Sequence, residues 1–181
     1  MKSLLFPVFL IAAFCVLSGN ANAPKEEDKE KVKYPPVSTF RSSCARCHGP
    51  QGSSFGDSFG ALPDKELVRF IGLMMRGPGG LNPNQADLDA MTAYNRALAK
   101  KRPFIFLTKV DSTSTGINYL GEGLPGTIIF LNSKGESLQI KTGTNGKWQS
   151  GPVAPSLYTE FIGVEKGDTV KLVPGKALWT N

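Results

Sequence analysis

The sequence predicts an α + β protein in two parts, a small all-α segment followed by an antiparallel β-rich, sandwich-like segment. Three observations carry this. Between residues 36 and 102, apolar side chains recur at the i, i+3, i+4, i+7 spacing of amphipathic helices. From residue 103 onward the pattern becomes short β-branched and aromatic runs separated by turn residues. Pro103 stands at the change, directly after Lys100, Lys101 and Arg102.

The chain begins with a secretory signal pattern over residues 1–23. Lys2 supplies the charged start, Leu4 to Leu17 is nearly all apolar, and Ala21-Asn22-Ala23 fits a small-residue cleavage site. The apolar run is shorter than the ~20 residues that span a bilayer. Phe14 is bulky where a lipoprotein site at Cys15 needs a small residue. The expectation is an exported, periplasmic protein with no stable membrane anchor after cleavage. Loss of Lys2 lowers the formal net charge from +6 to +5. A mildly basic surface could favour docking to an acidic redox partner, and ordinary solubility is the simpler reading. No dense Lys/Arg run is interleaved with aromatics, so nucleic acid is not indicated.

Residues 24–35 read as a charged, flexible lead-in ending at Tyr34-Pro35. Pro36 then suits the first turn of a helix. Val37, Phe40, Arg41, Cys44 and Cys47 follow at helical spacing. The Gly-, Ser- and Pro-rich stretch 49–63 is loop chemistry. Asp64 can cap a second helix, whose apolar stripe is Leu67, Phe70, Ile71, Met74 and Met75. Gly77-Pro78 stops it. A third helix starts near Asn84, with Asp87 completing a capping box. Leu88, Met91, Tyr94 and Leu98 form its stripe, and the cations at 100–102 suit its carboxyl end.

In the second part, Phe104 to Val110, Thr127 to Leu131, Leu138 to Thr142 and Thr169 to Val173 read as strands. Turn signals at 132–135, Asn145-Gly146 and Lys166-Gly167-Asp168 separate them.

The most specific feature is Cys44-Ala45-Arg46-Cys47-His48. C-x-x-C-H is the attachment pattern of a c-type haem. Each thiol can form a thioether, and the imidazole can serve as the proximal iron ligand. A thioredoxin-like redox pair is the other use of C-x-x-C. Export, and the absence of further cysteines after Cys47, agree with haem attachment. The chain has one His. One His allows one His-ligated haem, excludes a blue-copper site that needs two, and leaves none for a Ser/His/Asp triad.

With these residues in view, Val37 to Leu98 resembles a class I c-type cytochrome, a single-haem cytochrome c domain. The resemblance rests on Phe40, Cys44, Cys47, His48 and Gly49, and on the helix from Asp87 to Leu98. It implies a small all-α cytochrome c fold over 36–102, in which Tyr94 packs on Phe40 where the first and last helices cross. It implies one covalent haem c on Cys44 and Cys47, His48 as proximal ligand and a methionine as distal ligand. Met75 is the first choice, because its separation from Tyr94 is close to the family's. Met74 is the second, and Met91 reads as core. The sequence departs from the family in the short span from His48 to Met75, and in placing Met74-Met75 at a helix end rather than in a loop. A five-coordinate iron therefore stays open. Residues 103–181 resemble no family.

The implied function is one-electron transfer, as a carrier or as the electron-transfer subunit of an oxidoreductase complex, with no enzyme activity of its own. Two alternatives stand beside it. An open distal site would make a sensor or binder of NO or CO. A β segment presenting Trp148, Trp179, Tyr119 and Tyr158 as a stacking surface would make a partner- or polymer-binding module.

Overall fold

Pro36 opens the first helical stretch of the computed structural model, which describes residues 31–53, 55, 59–133, 136–154 and 159–180. The signal pattern at 1–23, residues 24–30 of the lead-in and Tyr158 lie outside the described residues. The stretch runs through α1 (Pro36–Thr39), a π-helical turn (Phe40–Cys44) and α2 (Ala45–His48). Pro36 fits the first turn because its missing N–H would have no partner there. Gly49, at φ +76°, ends the stretch.

A short 3₁₀ turn (Phe59–Ala61) leads to α3 (Asp64–Arg76). Pro63, not Asp64, occupies the capping position, and no side chain caps the helix. Asp64 instead stands in the first turn and pairs with Arg96. The expected stripe is also narrower than the spacing suggested. Leu67, Ile71 and Met75 are buried, while Phe70 and Met74 lie at its exposed edge.

In α4 (Gln85–Lys100) the capping box forms as expected. Asn84 Oδ1 accepts from the Asp87 amide at 2.8 Å, and Asp87 Oδ2 accepts from the Asn84 amide at 2.9 Å. The other Asp87 oxygen accepts from the amides of Lys33 and Tyr34. The end of the lead-in is thus fastened to α4.

Seven strands follow: β1 (Ile105–Thr113), β2 (Gly116–Gly123), β3 (Ile128–Ser133), β4 (Glu136–Lys141), β5 (Lys147–Val153), β6 (Thr159–Glu165) and β7 (Asp168–Leu172). They form two antiparallel sheets, ordered β1-β2-β5 and β4-β3-β6-β7. One apolar cluster draws on every strand: Ile105 and Leu107, Tyr119, Ile129 and Leu131, Ile140, Trp148, Phe161, and Leu172.

The expected class, an all-α cytochrome c fold followed by a separate β-rich unit, is not what the chain forms. Among the described residues it is mostly β, with seven strands in two sheets against three short helical stretches. Nor do the helices bury their apolar faces on one another alone. Phe104, Phe106 and Leu124 complete their cluster. The reason is the two-residue period of a strand. In β1, Ile105 and Leu107 enter the core between the sheets, while Phe106 and the preceding Phe104 enter the helical core.

Glu122 of β2 adds a polar tie. Its buried carboxylate accepts from the amides of Val37 at 3.0 Å and Ser38 at 3.2 Å, two donors that a helix start leaves unpaired.

Candidate functional site

The C-x-x-C-H residues sit at the carboxyl end of the first helical stretch. The π turn that ends at Cys44, in which the Ala45 amide donates to the Phe40 carbonyl, shifts their register against the preceding α1 turn. Cys44 is half-buried, Cys47 is exposed, and neither forms a disulfide.

Cys44 and His48 line a cavity of about 420 Å³. Phe40, Phe55, Phe59 and Leu62 form its wall on one side of the sequence, and Phe70, Ile71, Met74 and Met75 of α3 with Met91 and Asn95 of α4 form the rest. The aromatic wall is ordered by ring contacts. The His48 ring lies 5.3 Å from that of Phe55, which stacks on Phe59 at 4.3 Å and meets Phe40 edge-on at 6.0 Å. Arg96 holds this wall to α4, donating 2.9 Å hydrogen bonds to the carbonyls of Gly60 and Leu62 and pairing with Asp64. Phe40 also meets Tyr94 of α4 edge to face, at 5.5 Å.

Each residue singled out from sequence can now be located. Cys44 and His48 reach the cavity, and Cys47 lies outside its lining, one residue before His48. Met75 is 1% exposed and lines the cavity. Met74 also lines it but is 47% exposed, at the edge of the buried stripe. Met91 is buried as expected, yet it is a cavity wall as well as core. Phe55, Phe59, Leu62 and Asn95 were not foreseen as site residues. Phe55 and Phe59 are large aromatics inside a Gly/Ser-rich loop, and that mismatch is the one signal that could have found them.

The electrostatics bear on how the cysteines can be used. Burial pushes the Cys44 thiol up from its ordinary range, and the nearby Cys47 pushes in the same direction. The motif also stands at a helix carboxyl end, where the dipole disfavours an anion. A nucleophilic redox cysteine needs the opposite setting.

The donor set is one imidazole, thiols and thioethers, in a largely apolar enclosure. Among the described residues no cluster of three or more His, Cys, Asp or Glu gathers to hold a bare metal ion. Imidazole and sulfur donors in an apolar pocket fit a haem iron, and the volume falls within the range of cofactor sites.

Tyr119 and Trp148, offered as part of a stacking surface, are buried between the sheets, and Trp179 stacks on Phe106. No helix among the described residues is long and apolar enough to cross a membrane. In comparisons with known proteins, no family model, no curated protein and no solved structure matched this chain.

Proposed function

We propose that this chain is an exported, single-haem c-type protein that transfers electrons one at a time, as a carrier or as the electron-transfer subunit of an oxidoreductase complex, and is not itself an enzyme. The observation that carries the reading is one apolar cavity that gathers Cys44, His48 and Met75, with Cys47 beside it. Kinship with c-type cytochromes is proposed on the motif and the Phe40–Tyr94 contact, not on the architecture.

Cys44 and Cys47 would hold haem c through thioethers, and His48 with Met75, or next Met74, would bind its iron. Bound there, the haem supplies a reversible one-electron couple. The chain's own residues do the rest. Phe40, Phe55, Phe59 and Ile71 exclude water, which lowers the local dielectric and favours the less charged ferrous state. Met75 is held by burial rather than by a loop. The basic net charge favours an acidic redox partner, and the reading places the protein in the periplasm.

The test is an absorption spectrum of protein exported in a host that attaches haem c, oxidised and reduced, with and without CO. The proposal expects a reversible, pyridine-confirmed thioether-haem spectrum. It also expects a methionine–iron charge-transfer band that Met75→Ala abolishes. Ready CO binding by the untreated reduced protein would replace the carrier with a ligand binder.

A further inference from the structure

Asn95 is a polar residue where the pattern of α4 asks for an apolar one. It is buried, it lines the cavity with Met91 and Met75, and it lies in the interior of a helix, where Asn is unfavourable. Among the described residues, and apart from Cys44 and His48, the others around the cavity are all apolar. Its amide orientation is fixed by one contact: Nδ2 donates to the Met91 carbonyl at 2.8 Å. Only the nitrogen end of the amide can make that bond. The nitrogen is therefore turned back onto the helix, and the carbonyl oxygen is the end left for the cavity. Among the described residues no group donates to that oxygen.

We propose that Asn95 is a potential-setting residue of the haem site, its amide oxygen presenting the negative end of a dipole to the cofactor cavity. The inference rests on the haem reading above. A negative dipole end favours the more positive, oxidised state of a one-electron centre over the reduced state. Asn95 thus opposes the apolar aromatic wall, which favours reduction. The two together fix where the couple sits. It is a positioning of charge, with no bond made or broken by Asn95.

The experiment is a spectroelectrochemical titration of the full-length, haem-loaded protein and of Asn95→Leu and Asn95→Asp. At the applied potential that half-reduces the wild type, Asn95→Leu should show a reduced-to-oxidised ratio about two- to tenfold higher, the factor that one hydrogen bond's net worth sets. Asn95→Asp should shift the ratio the other way above the carboxyl's own titration. Its potential should then fall with rising pH where the wild type's does not, a dependence that a merely structural role would not produce. If Asn95→Leu folds poorly, Asn95→Asp alone decides. Haem-loaded variants with unchanged ratios and no new pH dependence would overturn the inference and leave the haem reading standing. If wild type and variants alike carry no thioether-linked haem by mass, the haem reading fails, and the inference with it.

Discussion

The ring of Phe40 meets the ring of Tyr94 edge to face, 5.5 Å between centroids, and Tyr94 meets Phe104 in the same manner at 5.3 Å. Three rings thus join the first helical stretch, α4 and the segment entering β1. All three are buried. Replacing Phe40 with alanine should cost about 3–5 kcal/mol, the usual range for a buried Phe. Urea denaturation measures it. A loss under 1 kcal/mol would mean that the ring contacts do not hold the halves together.

Tyr94 also makes stability depend on alkali. Burial, foremost, pushes its phenol well above the ordinary range, with Glu122 and Cys44 adding to it and Arg41 partly opposing it. The folded phenol therefore keeps its proton after the unfolded one, near pH ~10, has lost it. The contribution is complete below that pH and falls as pH rises past it, by up to about 1.4 kcal/mol per unit. Tyr94→Phe should flatten this part of the stability–pH curve. An unchanged slope between pH 10 and 11 would contradict the assignment.

The Glu122 carboxylate carries the start of the first helical stretch from a strand far away in sequence. Glu122→Ala leaves two inward amides without an acceptor and should cost about 2–4 kcal/mol. Glu122→Gln keeps an acceptor but loses the charge at the helix start, and should cost about 1 kcal/mol. Denaturant midpoints of the two variants should rank in that order. Equal midpoints would show that the contact is incidental.

Gly121 sits opposite Trp148 across the β2–β5 pair. A Cβ there would stand 2.2 Å from a Trp148 ring carbon and 2.2 Å from the Phe106 carbonyl oxygen. Even Gly121→Ala should cost about 3 kcal/mol or more, because backbone cannot yield as a side chain can. Trp148 fluorescence should shift to the red as the ring is displaced. A stable variant with native fluorescence would contradict this packing.

In protein kept free of haem, Cys47 should be alkylated before Cys44 near pH 8. Cys47 is exposed, while burial raises the Cys44 thiol and keeps less of it as thiolate. Peptide mapping of the early modification product measures the order. Faster reaction at Cys44 would restore the redox-pair reading.

The helices were legible because their signals are local. Pro36, the Asn84–Asp87 box and the breaks at Gly77-Pro78 and Pro103 act within a turn or two of their own positions. Four of the strands were legible from β-branched runs. β2 was not, since Gly116, Gly121 and Gly123 dilute it, and Gly121 is there to admit a tryptophan from another strand. β5 carries Gly151-Pro152, which reads as a turn. β6 was also overlooked, its alternation interrupted by Gly163, where a Cβ would stand 2.9 Å from Ile105. The fold class failed for the same reason. That β1 serves two cores depends on what lies on each side of it, and no spacing within β1 records that. At the site, Cys44, His48 and Met75 were legible from motif and spacing. Phe55, Phe59 and Asn95 reach the cavity only through tertiary packing.

The most direct test is the mass of the peptide containing Cys44 to His48, released by proteolysis from protein exported in a haem-attaching host. The account predicts that this peptide carries one haem, bound through both cysteines and resistant to acid–acetone extraction. Recovery of the peptide with two free thiols, or with Cys44 and Cys47 joined as a disulfide, would contradict it.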